Sequence, residues 1–234
     1  MFIFANGDYL SSALRDFNER LRKKSRDVLE WCARENRACL LVIARPYHMD
    51  PGIGHEIEGL GRLAVGVREH FPNRRIADYH GVDVQPELIE WADANLAGPG
   101  FRFTCVDVSN ERYNPDGTPE RTLAADPGTV DVFYAYSVFS HMNDEDTPAY
   151  LKLIREALSD GGRAFVTCFV EEDVPGWEEN PEGYGPLEWK GRLHCTRFAR
   201  WHFEDHVNAA RLAVDRFEYG QETDGQSLYV LRKR

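Results

Sequence analysis

The chain holds no C-x-x-C pair, and its five cysteines (Cys32, Cys39, Cys105, Cys168, Cys195) are scattered. Their dispersal excludes a disulfide framework and a zinc-ribbon spacing, and predicts buried thiols in a reducing compartment. Long apolar runs are missing too. The run Cys39–Ala44 is far too short to cross a bilayer, and no signal-peptide pattern opens the sequence. A cytoplasmic protein with no membrane attachment is therefore expected. Cations are in deficit, with Lys+Arg 28 against Asp+Glu 39 and a formal net charge of -11. Such a surface repels phosphate backbones, so no nucleic-acid partner is expected. Internal repeats and low-complexity tracts are also lacking. What remains is ordinary globular composition, 42% hydrophobic and 29% charged over 234 residues, enough for one sizeable core and a small appendage.

The apolar pattern divides the chain into an N-terminal helical extension over 1–37 and a single domain over 38–234. In the extension, Leu10, Leu14, Phe17, Leu21, Val28 and Trp31 recur at helical spacing over about 9–36, with Asp8 as N-cap. From Cys39 onward strands and helices alternate. Strands are predicted at Cys39–Ala44, Tyr79–Val84, Phe101–Val108, Val130–Tyr136 and Arg163–Val170. Helices are predicted at Arg62–His70, Pro86–Leu96 and Pro148–Leu158, with Pro86 suited to a helix start. A helix over Phe203–Ala213 and a hairpin of Val214–Glu218 with Ser227–Arg232 close the chain. Alternation of this kind predicts a Rossmann-like, doubly wound α/β fold with a mostly parallel sheet and an antiparallel C-terminal hairpin strand.

One constellation carries chemistry. The stretch GLGRLA at 59–64 fits G-x-G-x-x-G/A, and Asp83 stands 22 residues beyond Gly61 at the end of a strand. Glycines let the backbone approach a ligand, the helix start offers unpaired N–H groups, and an acid on the next strand tip accepts both ribose hydroxyl protons. A dinucleotide and an adenosyl cofactor satisfy these two signals equally well.

The later motifs separate them. HGVDVQPELIEWA at 80–92, FRFTCVDV at 101–108, DVFYAYSVFSHM at 131–142 and LSDGGRAFV at 158–166 resemble consecutive motifs of class I S-adenosylmethionine-dependent methyltransferases. The resemblance runs over about 59–234. It implies a seven-stranded sheet ending in an antiparallel strand, and S-adenosyl-L-methionine as cofactor. Gly59 and Gly61 would lie near the methionine part, Asp83 with Val84 would hold the ribose, and Asp107 with Val108 would meet the adenine. Tyr136 and Ser137 would border the methionine and the substrate.

The segment before this loop departs from the family. ARPYHMDPGIGHEI at 44–57, within 31–57, resembles a stretch of proteins related to the 2-hydroxyacyl-CoA dehydratase activators. The cysteine clusters of that family's iron–sulfur chemistry are missing. His48, Asp50 and His55 form no diagnostic ligand spacing, so no metal is expected.

Between the fifth strand and the last large helix, 171–197 reads as a substrate-cover loop. Its Trp177, Tyr184, Trp189 and His194 suit stacking against a small-molecule acceptor, or else hold the loop down. His141, just past the fourth strand, is the candidate general base for an oxygen acceptor, its ring titrating in the useful range; a capping role is the alternative. Two further functions stay open at this point: a catalytically silent fold relative that only binds or scaffolds, and an NAD-dependent oxidoreductase, which leaves the later motifs unexplained.

Overall fold

A computed structural model describes residues 39–44, 64, 78–185 and 188–234. The helix expected over 9–36, the segment 45–57, Gly59, Gly61 and all of the 62–70 helix except Ala64 lie outside the described residues.

The elements run β1 (Cys39–Ala44), β2 (Asp78–Asp83), α1 (Pro86–Leu96), β3 (Phe101–Cys105), β4 (Val130–Tyr136), a 3-10 turn (Phe139–His141) and α2 (Asp146–Ala157). They continue with β5 (Leu158–Glu171), β6 (Trp177–Glu179), β7 (Thr196–Ala199), α3 (Arg200–Ala209), β8 (Leu212–Glu218) and β9 (Ser227–Lys233). Strands lie in the order β3-β2-β1-β4-β5, with β9 pairing β5 and β8 pairing β9. The order reverses at β1, which has β2 on one side and β4 on the other. A crevice beyond the strand ends is expected at such a reversal.

Side-chain alternation divides the core. On β4, Val132 and Tyr134 join one buried cluster while Phe133 and Ala135 join the other. On β9, Val230 belongs to the first set, and Tyr229 and Leu231 to the second. A period of two puts neighbours on opposite faces, so a strand covered on both sides is apolar throughout. Helix α1 turns Ile89, Ala92 and Leu96 inward, one stripe at helical spacing. Pro86 opens it where a missing N–H costs nothing.

Several expectations are corrected. Among the described residues the connected sheet has nine strands, not seven, with five parallel pairings and three antiparallel ones. The surplus comes from 171–197, where β6 pairs antiparallel with β7 and β7 pairs with Phe169–Glu171 of β5. Two short stretches of the expected cover loop, 177–179 and 196–197, are thus paired into a ribbon continuing the sheet. Strand β3 ends at Cys105 and not at Val108; its last ladder bond runs from the Val106 N–H to the carbonyl of Asp83 at 2.9 Å. Helix α3 begins at Arg200 and ends at Ala209. Arg211 takes a left-handed φ of 57°, and β8 starts one residue later. Cys168 and Cys195 are buried free thiols, but Cys105 is exposed, contrary to five buried thiols. Among the described residues no helix is long and apolar enough to cross a membrane.

Candidate active site

Asp83 ends β2 and is buried, with 6% of its surface exposed. Its Oδ1 accepts a hydrogen bond from the Gln85 N–H at 2.9 Å. Burial pushes its carboxyl up to about 7, against the opposing pull of the Gln85 and Val84 main-chain N–H groups. Two neutral donors compensate a buried carboxylate poorly, so further donors would lower its energy.

A cleft of about 740 Å³, open to solvent, lies over these strand ends. Val82, Asp83 and Val84 line it from β2, and Val106 and Val108 from the segment after β3. Ser137, Val138, His141 and Met142 line it from the segment after β4. An apolar wall with one buried acid at its base suits a nucleoside: the flat base lies between aliphatic side chains, and the sugar hydroxyls meet the acid. The described residues therefore fit an adenosyl group.

Ser137 is held in a strained form. Its φ is 55°, in the left-handed region that a residue with a side chain adopts only when its surroundings compel it. Its N–H donates to Thr167 Oγ1 at 2.7 Å, that hydroxyl donates to Gln226 Oε1 at 2.9 Å, and Gln226 Nε2 donates to Ser137 Oγ at 2.7 Å. All three residues are buried, and the ring of bonds ties the end of β4 to β5 and to the residue before β9. Thr167→Val keeps the volume but orphans the Ser137 N–H and the Gln226 amide oxygen. We expect it to cost about 2–3 kcal/mol in urea unfolding, more than a neutral exposed substitution.

His141 is buried and lines the cleft. Its Nδ1 lies 2.9 Å from the carbonyl of Leu193. A carbonyl only accepts, so the proton sits on Nδ1 and Nε2 carries the basic lone pair. Tyr113 stands edge-on to the imidazole, with centroids 5.6 Å apart. Asn110 fastens the same turn. Its Nδ2 donates to the His141 carbonyl at 3.1 Å while its Oδ1 accepts from the N–H groups of Arg112 and Tyr113.

The other expected residues are placed as follows. Asp107 is exposed and accepts from Asn114 Nδ2 at 3.1 Å, so its carboxylate braces the 107–118 loop. Tyr136 is half-buried and stacks on Tyr134 at 5.9 Å. In the ribbon, Trp177 donates from Nε1 to the carbonyl of Met142 at 3.2 Å. The Tyr184 hydroxyl donates to Glu171 at 2.9 Å, Trp189 Nε1 donates to the Tyr184 carbonyl, and His194 Nδ1 accepts from the Lys190 N–H. Tyr184 and Trp189 both pack on Phe169. These four polar groups hold the ribbon together and against β5, and none of the four residues is among the cleft's described walls. Asn110, Tyr113, Thr167 and Gln226 were not anticipated. Only Asn110, ahead of the turn-rich NERYNPDG stretch, carries a local signal.

Comparison with known proteins agrees with this geometry. Residues 59–164 match the model of a family described as methyltransferase domain. A SAM-dependent methyltransferase of Leishmania major is similar in structure, with 16% identity and a TM-score of 0.50 over 74% of this chain and 61% of that one. The riboflavin-derivative dimethyltransferase RosA of Streptomyces davawensis has 16% identity and a TM-score of 0.51 over 75% of this chain and 47% of that one. The mitomycin 7-O-methyltransferase MmcR has 15% identity and a TM-score of 0.50 over 75% and 47%. The fold is thus the one SAM-dependent methyltransferases use, and this chain covers 47% to 61% of the length of these proteins.

Proposed function

We propose that the chain is an S-adenosylmethionine-dependent methyltransferase acting on a small-molecule acceptor, with oxygen as the accepting atom. The observation that carries this reading is the buried, poorly compensated Asp83 carboxylate at the base of an apolar cleft beyond the strand ends. The methyltransferase-domain match over 59–164 and the fold support S-adenosylmethionine as the cofactor. RosA and MmcR differ in the atom their names imply they methylate, so the acceptor atom rests on the site and not on the fold.

When bound, the cofactor supplies an electrophilic methyl group on a sulfonium. The protein's part is to position, exclude water and accept a proton. Asp83 would hold the ribose hydroxyls, and Val84, Val106 and Val108, which line the same cleft, would hold the adenine. Asp107, with Oδ1 held by Asn114 Nδ2, would meet the adenine amino group through Oδ2. Ser137, in its locked conformation, borders the methionine end, and Tyr136 backs it from the strand. His141 Nε2 takes the hydroxyl proton of the acceptor, with Nδ1 anchored on Leu193.

Calorimetric titration of the full chain with S-adenosylhomocysteine tests the reading. One site per chain is expected. No heat and no thermal shift at millimolar ligand would leave the architecture standing without the activity.

A further inference from the structure

Outside the cleft, α3 carries two histidines one helical turn apart, His202 and His206, and both reach the same atom of a third residue. His202 Nε2 lies 2.8 Å from Asp144 Oδ1, and His206 Nε2 lies 2.9 Å from that same oxygen. The two imidazole centroids are 4.4 Å apart. We propose that Asp144, His202 and His206 form a binding site for a zinc-like divalent transition metal, two imidazoles and one carboxylate closing on one ion.

Spacing four residues apart puts both rings on one face of a helix, so neither must leave its rotamer to share an ion. All three ligand atoms lie within 4.8 Å of one another. Around a tetrahedral zinc with bonds of about 2.0 Å, ligand atoms stand roughly 3.3 Å apart. The observed 2.8 and 2.9 Å need to widen by only a few tenths of an ångström to admit the ion. Imidazole nitrogens with a single carboxylate favour zinc, cobalt or nickel over calcium or magnesium, which prefer all-oxygen shells. The His202, His206 and Asp144 side chains keep 22%, 18% and 39% of their surface exposed, which leaves water a route to the remaining position.

The site has a consequence for the cleft. Asp144 stands between Met142 and Asp146, both of which line it. The Asp146 N–H is already held by Asn143 Oδ1 at 2.7 Å. An ion on Asp144 would clamp this segment to α3. Gly176 packs so closely that a methyl there would stand 3.2 Å from His202 Cγ, so the ring's position depends on that glycine.

The test loads the full chain with Zn²⁺ and then Co²⁺ in a metal buffer, reading stoichiometry by elemental analysis and the visible absorption of the cobalt form. One equivalent per chain is expected, with cobalt bands of a four- or five-coordinate site. Asp144→Asn, which keeps the shape and sits outside the helix, should weaken Zn²⁺ binding by more than about 100-fold, exceeding the loss of an outer-shell partner. His206→Gln should do the same with an unchanged circular dichroism spectrum, and Gly176→Ala should weaken binding less. The proposal is overturned if the wild-type chain takes up no ion, or if Asp144→Asn and His206→Gln retain wild-type stoichiometry and affinity, which would place the ion on other histidines.

Discussion

Asp83→Asn should stabilise the ligand-free chain at pH 8 while weakening S-adenosylhomocysteine binding by at least about 100-fold, the equivalent of two charge-assisted hydrogen bonds. The amide oxygen of Asn can still accept from the Gln85 N–H, so the local turn survives. What disappears is the buried charge. The native carboxyl titrates near 7, against about 3.9 in an unfolded chain, so between those values the native state binds the extra proton. Stability from this group is therefore fully present below about pH 4 and is lost as pH rises through 7. The difference is on the order of 4 kcal/mol at pH 8. Urea unfolding at pH 5 and pH 8 reads the larger part of it: the wild type should fall by about 2–3 kcal/mol between the two, and the variant should change much less. Binding runs the other way. Hydroxyl donors favour the ionised acid, so wild-type affinity for S-adenosylhomocysteine should climb through pH 7 and level off above it. Equal affinity for the variant and the wild type would remove Asp83 from ribose recognition.

Replacement of His141 by Ala should lower kcat by about 10²- to 10⁴-fold, the usual worth of a positioned general base. Alanine also abandons the Leu193 carbonyl, so a second variant is needed to separate support from proton transfer. His141→Gln keeps an N–H donor of similar reach but no basic nitrogen. Both variants should lose rate while the affinity for S-adenosylhomocysteine stays within a few fold. The assay is transfer of labelled methyl from S-adenosylmethionine to the first acceptor that the wild type modifies in a panel of small phenols and hydroxy acids. Full kcat in His141→Gln would reduce His141 to a brace for the ribbon.

The contrast between these two residues shows what local pattern can tell. The place of Asp83, at a strand tip beside the cleft, was legible because an apolar strand ending in an acid specifies it locally. Cys39–Ala44, Pro86–Leu96 and Val130–Tyr136 coincide with their predicted bounds, since each is a single apolar period or a proline start. The ribbon was not legible. Trp177–Glu179 is a three-residue strand whose pairing is decided by β7, and neither element has a period of its own. The aromatics of 171–197 suggested either a cover or an anchor for the loop, and composition does not say which way a ring faces; here Tyr184 and Trp189 pack on Phe169, and Trp189 meets His194. Thr167 and Gln226 stand 59 positions apart and meet only because β5 and β9 pair. The two histidines of α3 did carry a signal, their separation of four. It lacked meaning until Asp144 arrived from 58 residues upstream.

The ribbon and the imidazole are mechanically joined. Leu193, which sets the proton on His141 Nδ1, sits three residues before β7, and β7 is paired to the last residues of β5. Lifting that stretch away would strip the ring of the acceptor that selects its tautomer. On the proposed mechanism, the tautomer with its basic lone pair on Nε2 is thus selected only while the ribbon is seated, which makes the pairing of β7 with β5 a condition for proton transfer at a ring on neither strand.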